Sequence, residues 1–196
     1  RNLVYPHIGF DEMHFIDYFD QTKILREYIT DQELYDKIIK RYENRKNNEK
    51  LFFMGITMQN HGGYTETYDN FPENYYKVGR SYTDANQYLS LVHESDEAVK
   101  NLISYFSKVD DPVEIIFFGD HQPSLNSNFY PILNGKGLTG LTEDELEKLY
   151  TVPFFIWTNY DTPEETVDIT SLDYLSTMAL ERAGIELPAY NKFLAD

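Results

Sequence analysis

The sequence contains no cysteine and few basic residues, and both shortages exclude classes of function. Without cysteine there are no disulfides, no thiolate metal sites and no cysteine nucleophile. The 17 Lys and Arg residues stand against 33 Asp and Glu, which gives a formal net charge of −16. Because so negative a surface repels phosphate backbones and anionic lipid, we expect no nucleic-acid partner. An anion site in this chain would need local positive charge, such as a metal ion or a well-placed arginine.

The sequence also lacks an apolar run long enough to span a membrane, and it has no secretory signal at its start. It begins at Arg1 rather than at a methionine. We therefore expect a soluble portion of a longer protein, in which any membrane attachment comes from helices upstream. The composition is 41% hydrophobic and includes 17 Tyr and 13 Phe, which is enough for a sizeable core within one domain over residues 1–196.

Strand-like and helical patterns alternate along the chain. Apolar runs of strand length that suit strands buried on both faces occupy 51–58, 113–118 and 152–158. Helical patterns occupy 30–42, 82–107, 141–150 and 170–184, and the first and third of these open with capping boxes. This alternation predicts an α/β domain with a mostly parallel sheet flanked by helices.

Two of the predicted strands run directly into polar signatures. The run 51–58 is followed by the loop sequence QNHGG at 59–63, which contains His61. The run 113–118 is followed by Gly119, Asp120 and His121. In open α/β sheets, ligands bind at the carboxyl ends of the strands. If the strands are parallel, His61 and the Asp120–His121 pair therefore lie at one edge of the sheet.

The Asp120–His121 pair supports two interpretations equally well from the residues alone. Asp offers a hard anionic oxygen and neutral His offers a nitrogen, which together suit a divalent cation. A turn made by Gly119 and Pro123 would let both side chains reach one ion. Alternatively, Asp120 caps the turn and His121 packs against a neighbour. Two ligands are also too few for a dedicated metal site.

Two further polar residues have less motif support. His61, flanked by Asn60 and Gly62, could donate a hydrogen bond to a substrate anion, although a plain loop histidine fits the residues as well. Asp96 falls on the apolar stripe of the helix 82–107, so we expect a buried carboxylate that is satisfied by hydrogen bonds. The loop tyrosines would line a substrate cleft or pin the loop down; these are Tyr64, Tyr68, Tyr75 and Tyr76.

Taken together, FFMGITMQNHGGY and VEIIFFGDHQPSL resemble the sulfatase-like branch of the alkaline phosphatase superfamily. More narrowly, the sequence resembles the lipoteichoic acid synthase and phosphoglycerol transferase family. The opening at Tyr5, Gly9, Phe10 and Asp11 is similar to that family, and so is the terminal segment DITSLDYLSTMALERAGIELP. The resemblance extends over essentially all 196 residues. It implies an alkaline-phosphatase-like α/β fold, of which this chain is the C-terminal portion of the catalytic domain.

The resemblance also implies roles for individual residues. Asp120 and His121 match the pair that binds the catalytic metal, usually Mn²⁺, with Mg²⁺ as the other candidate. His61 matches a histidine that contacts the phosphoglycerol group, and Arg1 stands where the family has an arginine that binds the substrate phosphate. The family's threonine nucleophile and a further acidic metal ligand lie upstream of Arg1, so no catalytic nucleophile is expected in this chain.

The implied activity is transfer of a phosphoglycerol-type group through a covalent threonine intermediate. The donor would be an anionic glycerophospholipid or another phosphoglycerol donor, and the acceptor a polymer or glycan at the extracellular face of a bacterial membrane. The alternatives are a sulfatase or phosphodiesterase on the same scaffold, and a non-catalytic domain that binds a polyanion. We expect the 196-residue chain alone to be inactive, because it lacks the nucleophile.

Overall fold

The structure, a computed structural model, describes residues 3–71 and 82–195. The chain divides into two compact units, which are residues 1–102 with 123–137 and residues 103–122 with 138–196. Helices and short strand pairs are interspersed along the chain, so the predicted α/β character is confirmed, although the two kinds of element do not alternate one by one. No helix among the described residues is both long enough and apolar enough to cross a membrane.

The first unit is built from two long helices and a short hairpin. Its elements are β1 (Ile24–Leu25), β2 (Tyr28–Ile29), α1 (Asp31–Glu43), α2 (Thr83–Phe106, of which the last four residues count with the second unit) and α3 (Tyr130–Asn134). Single 3-10 turns lie at Tyr5–Ile8 and Ile16–Tyr18. The sequence predicted α1 and α2 but neither the hairpin nor α3.

Helix α1 begins where its capping signal predicts. The Oγ1 of Thr30 accepts a hydrogen bond from the backbone N–H of Glu33 at 3.1 Å, which satisfies one of the free amides of the first turn. The core of this unit forms between α2 and segments that lie before and after it in the chain. Tyr64, Phe71 and Leu91 are its buried centre, and Leu25, Tyr68, Tyr88 and Leu125 pack around them.

The second unit contains the two longest strands. Its elements are β3 (Glu114–Phe118), α4 (Glu143–Lys148), β4 (Phe154–Thr158), α5 (Leu172–Arg182) and α6 (Ala189–Ala195). The capping box at Thr142 and Glu145 forms as predicted and opens α4. Gly184 follows α5 with a φ of +65°, the left-handed conformation of a helix-ending glycine.

The strand pairing differs from the expected parallel arrangement. Strand β3 pairs antiparallel with β4, with Ile116 opposite Ile156, and β1 pairs antiparallel with β2. Parallel pairing does not occur within 3–71 and 82–195. Continuous runs of Val, Ile and Phe are typical of strands covered on both faces, but β3 and β4 are only half-buried, with Ile116 and Phe118 exposed. Such composition also does not fix the direction of the neighbouring strand.

The run 51–58 is not a strand in the described part of the chain, which corrects the prediction for this segment. A strand exists only with a hydrogen-bonded neighbour, and no described strand pairs with this run. Its apolar side chains are largely exposed, with Phe52 78% accessible to solvent. The run touches α1 at Gly55, where an added Cβ would lie 3.0 Å from Cδ2 of Leu34.

Helix α2 buries part of the predicted stripe, at Ala85, Val99 and Phe106, and with it a second, partly polar face. Asp96 is exposed, so the expectation of a buried carboxylate at this position is wrong. The buried positions also include Gln87, Leu91 and Ser95, which follow one another at intervals of four. The prediction followed the apolar residues alone, whereas this helix turns a partly polar face inward to meet the loop that contains His61.

Candidate functional site

The QNHGG loop, residues 59–63, is held by the buried guanidinium of Arg26. Nη2 of Arg26 donates to the carbonyl oxygens of Gln59 at 2.9 Å and of His61 at 2.7 Å. Nη1 donates to the carbonyl of Gly63 at 3.3 Å and to Oε1 of Gln87 on α2 at 3.1 Å. One side chain thus bonds three of the five carbonyls of the loop and ties them to α2.

Arg26 lies at the tip of the β1–β2 hairpin in an uncommon backbone conformation. Its φ is +55°, in the left-handed region that non-glycine residues seldom adopt, and only 5% of the residue is exposed. Its guanidinium carbon lies 5.5 Å from the ring centroids of Tyr28 and Tyr64 and 5.9 Å from that of Tyr68. These rings and the loop carbonyls compensate the buried cation, since no carboxylate of the described chain pairs with it.

A second network of hydrogen bonds fixes the start of the loop. The amide of Gln59 donates to Oγ of Ser95 at 3.2 Å, and its Oε1 accepts from the backbone N–H of Asp31 at 3.1 Å. The side chain of Asn60 also donates to Oγ of Ser95, at 2.9 Å. This network attaches the loop to the first turn of α1 and to the middle of α2.

Two of the loop tyrosines pin the loop rather than line a cleft. The hydroxyl of Tyr64 donates to the carbonyl of Asn60 at 2.7 Å, and the ring of Tyr64 is buried in the core. Tyr68 packs against that core beside Arg26. Tyr75 and Tyr76 lie outside the described residues.

His61 has an exposed side chain, although the loop that carries it is anchored. Its backbone N–H donates to the carbonyl of Met58 at 3.0 Å. Its ring nitrogen Nδ1 lies 3.2 Å from the hydroxyl of Tyr28, and the two ring centroids are 5.6 Å apart. Nε2 makes no hydrogen bond to any residue of the described ranges. A histidine held by its backbone and by Nδ1 can present Nε2 to a ligand.

The Asp120–His121 pair lies at the end of β3. Gly119 is closely packed there, because an added Cβ would lie 3.2 Å from Cβ of Val152. The backbone N–H of His121 donates to Oδ1 of Asp120 at 2.9 Å, so Asp120 does cap the turn. The next residue, Gln122, is held in place because its side-chain amide donates a hydrogen bond to the carbonyl of Thr151.

The remaining donor atoms of the pair point toward each other. Nδ1 of His121 lies 2.9 Å from the carbonyl oxygen of Gln122, which can only accept, so Nδ1 donates and the neutral form of the ring keeps its lone pair on Nε2. That Nε2 lies 3.7 Å from Oδ2 of Asp120. Two donors bound to one ion at about 2.1 Å lie roughly 3.0 to 3.4 Å apart, so a small rotation would bring both to one cation. The side chains are 73% and 86% exposed, respectively.

The two predicted halves of the site belong to different units. His61 lies in the first unit, and Asp120 and His121 lie in the second. The single sheet edge on which they were expected to meet depended on parallel strands, which the described residues do not form. Arg1 lies outside the described residues. Within 3–71 and 82–195, no group of three or more His, Asp or Glu side chains is arranged to hold a metal ion.

Sequence reasoning missed the residues that organise the His61 loop. Arg26 and Tyr28 lie in a stretch without helical or strand periodicity. This stretch contains no sequence signal for a hairpin with an arginine in the left-handed conformation. A usable signal exists on α2, where Gln87 and Ser95 share one face with Leu91. Polar residues at core spacing in a buried helix indicate hydrogen-bonded partners in the interior.

Two curated relatives from Rhizobium meliloti (strain 1021) have names that refer to polysaccharides. The chain is 27% identical over 202 residues to the "Putative cyclic beta-1,2-glucan modification protein", and the match covers 99% of this chain and 31% of that protein. It is 33% identical over 129 residues to the "Capsular polysaccharide biosynthesis protein RkpI", and the match covers 65% of this chain and 22% of that protein. The chain thus spans less than a third of the length of either relative.

A solved structure shares the fold. The Streptococcus pyogenes phosphoglycerol transferase GacH, in complex with sn-glycerol-1-phosphate, superimposes with a TM-score of 0.71 and 20% sequence identity. The match covers all of this chain and 49% of that one. It confirms the expected alkaline-phosphatase-like fold, of which the described helices and strand pairs form a part.

The family model described as Sulfatase matches residues 1–185, nearly the whole chain. This match confirms the resemblance that the NHG and GDH segments indicate. The chain belongs to the sulfatase family.

Proposed function

We propose that this chain is part of a metal-dependent transferase that moves a phosphoglycerol-type group onto a cell-envelope polymer or glycan. The observation that carries the proposal is the convergence of Oδ2 of Asp120 and Nε2 of His121, 3.7 Å apart at the end of β3. The sulfatase family match, the fold shared with a phosphoglycerol transferase and the polysaccharide-related names of the relatives support it.

The donor atoms of Asp120 and His121 suit a divalent cation. A carboxylate oxygen and an imidazole nitrogen are ligands that Mn²⁺ accepts, and Mg²⁺ is the harder alternative. When bound, such an ion polarises a phosphoryl oxygen and makes a hydroxyl nucleophile more acidic. We propose that the further ligands and the threonine nucleophile belong to parts of the longer protein outside this chain, and that those parts also hold it at the outer face of the membrane.

The chain's own side chains have distinct tasks in this proposal. Asp120 holds the turn through Oδ1 and keeps Oδ2 for the cation, while the Gln122 carbonyl orients the ring of His121. His61 donates its free ring N–H to an oxygen of the transferred group, where negative charge grows in the transition state. Arg1 is proposed, on the family resemblance, to bind the same phosphate.

The donor and acceptor are proposed on the family resemblance. An anionic glycerophospholipid supplies the phosphoglycerol group, and a polymer or glycan hydroxyl takes it. The net charge of −16 does not favour a domain that only binds a polyanion. It is compatible with a site in which a bound cation compensates the charge locally.

The test uses the full-length protein with vesicles that contain fluorescent phosphatidylglycerol, after metal removal and addition of Mn²⁺. We expect release of fluorescent diacylglycerol that depends on Mn²⁺ and rises when a glycan acceptor is added. Asp120→Asn and His121→Ala should each lower the rate by about 100-fold or more, and His61→Ala by roughly 10²-fold. His7→Ala, which changes an exposed histidine without motif support, should leave the rate unchanged.

Other substrates distinguish the alternatives. Hydrolysis of 4-nitrophenyl sulfate without diacylglycerol release would replace the proposal by a sulfatase. Hydrolysis of bis(4-nitrophenyl) phosphate with no transfer to any acceptor would replace it by a phosphodiesterase. No turnover of the three substrates with any divalent metal would overturn the enzymatic assignment.

A further inference from the structure

The β1–β2 hairpin delivers two side chains to the His61 loop from the same short segment. Arg26 bonds the loop carbonyls, and two residues later the hydroxyl of Tyr28 reaches Nδ1 of His61 at 3.2 Å. We propose that Tyr28 and Arg26 are positioning residues for His61. Tyr28 donates its hydroxyl proton to Nδ1, so that the neutral ring carries its own proton on Nε2 and presents an N–H donor to an oxygen of an anionic ligand.

The direction of the Tyr28–His61 hydrogen bond follows from the charge beside it. The guanidinium carbon of Arg26 lies 5.5 Å from the centroid of the Tyr28 ring. A cation beside a phenol ring disfavours a second positive hydrogen pointing at the phenol oxygen, which favours the hydroxyl as the donor of this hydrogen bond. Tyr28 therefore donates, and the neutral imidazole must then hold its single proton on the other nitrogen.

The guanidinium of Arg26 also favours the binding of an anionic ligand near His61, which the overall charge of the chain opposes. With a net charge of −16, the chain as a whole repels an anionic group. Arg26 places a positive charge directly beneath the His61 loop, and no carboxylate of the described residues neutralises it. A neutral N–H donor above a buried cation can bind an anion at a pH where the histidine itself is uncharged.

This inference names the supporting residues of the proposed substrate contact and so rests in part on the proposed function. Its first prediction, however, concerns the tautomer of a single ring and holds whatever the reaction is. A purely structural role for Tyr28 would leave that tautomer unaffected.

The experiment measures the ring nitrogens of the chain's histidines by long-range ¹H–¹⁵N NMR above pH 8, where neutral imidazole predominates. In the unmodified chain we expect His61 to show an unprotonated Nδ1 and a protonated Nε2. Tyr28→Phe keeps the ring and its packing but removes the hydroxyl, and it should shift the Nδ1 resonance and give a mixture of tautomers. A protonated Nδ1 in the unmodified chain, or an unchanged spectrum in Tyr28→Phe, would overturn the proposal.

The chain provides a matched control for this substitution. The ring of Tyr18 stacks on that of His14 with centroids 3.8 Å apart, without a hydrogen bond between its hydroxyl and the imidazole. Tyr18→Phe should therefore leave the tautomer of His14 unchanged in the same spectrum. A thermal melt of each variant checks that the fold is retained.

A second measurement tests the anion site with inorganic phosphate as the probe. Phosphate should shift the Nε2–H resonance of His61, and Tyr28→Phe should weaken that titration by about 10-fold. Arg26→Lys keeps a positive charge but loses the planar fork, so it should weaken the titration similarly while the protein stays folded. Phosphate binding that is equal in all three proteins would refute the positioning role. A changed tautomer together with an inactive transferase assay would instead refute only the proposed function.

Discussion

The hydroxyl of Ser95 donates to Oδ2 of Asp31 across a distance of 2.5 Å in the interior of the first unit. This contact joins the first turn of α1 to the middle of α2 and supports the loop that contains His61. Burial raises the pKa of Asp31 to about 6, and the hydrogen bond from Ser95 only partly opposes this effect. The folded protein therefore carries a neutral carboxyl group at a pH where the unfolded chain is ionised.

This raised pKa predicts how stability depends on pH. Below about pH 4, Asp31 is protonated in both the folded and the unfolded state, so its burial does not lower the free energy of unfolding. Between pH 4 and 6 the unfolded chain loses the proton first, so stability falls as the pH rises. Above pH 6 the loss of folding stability levels off at about 3 kcal/mol, because the pKa of Asp31 is raised by about two units on folding. Asp31→Asn, which still accepts from Ser95, should remove this slope in melts recorded from pH 4 to 8.

Asp36→Asn is the matched control for that experiment, because Asp36 lies on the same helix but is exposed. It should leave the slope between pH 4 and 6 unchanged. The comparison between variant and parent also cancels other carboxylates, such as Glu49, whose pKa the hydrogen bond from Arg41 lowers to about 2. Parallel stability curves for the parent and Asp31→Asn would show that the carboxyl is not buried as described.

Two phenylalanines should differ sharply in their contribution to stability. Phe71 is 2% exposed in the core, whereas Phe52 lies in the apolar run 51–58 and is 78% exposed. Phe71→Ala should lower the free energy of unfolding by about 3–5 kcal/mol, because it leaves a cavity. Phe52→Ala should change it by less than about 0.5 kcal/mol. Urea denaturation of the chain measures both, and equal losses would mean that the run is buried.

The difference between these two residues also shows where sequence reasoning succeeds. The helices α1, α2, α4 and α5 could be predicted because their signals are local: a capping box, a periodic stripe, a terminal glycine. The run 51–58 reads as a strand from composition alone, yet strand formation depends on a neighbour that local sequence does not specify. The direction of β4 against β3 is non-local for the same reason.

The candidate site divides in a similar way. Asp120 and His121 could be found because adjacent residues at a strand end form a short, readable motif. Arg26 and Tyr28 could not, since their effect on His61 comes from a turn in an unusual backbone conformation and from a contact between residues 33 positions apart. Only the folded arrangement brings the cation beneath the loop.

Substitutions of two separate glycines test the C-terminal end of α5, which the sequence predicted. Gly184 has a φ of +65° after α5, a conformation that strains any residue with a Cβ. Gly184→Ala should therefore lower the free energy of unfolding by about 1 kcal/mol. Gly137 has open space around its Cα and no such φ, so Gly137→Ala should be neutral or slightly stabilising. Thermal melts of the two variants should rank them in that order, and the reverse order would contradict the left-handed helix end.

The last prediction concerns the affinity of the Asp120–His121 pair for metal. The pair offers two donor atoms to a cation, and its side chains are exposed to water that competes for the same ion. Because a dedicated site uses at least three protein ligands, the 196-residue chain should bind Mn²⁺ only in the millimolar range or more weakly. Calorimetry with Mn²⁺ measures this directly, and His121→Ala should abolish whatever binding remains. His14→Ala removes a histidine that lies 3.4 Å from Glu12 and has no place in the proposed site, so it should change nothing. Micromolar binding that disappears in His121→Ala would show that the chain already contains a complete ligand set, and the proposal that further ligands lie outside it would then be wrong.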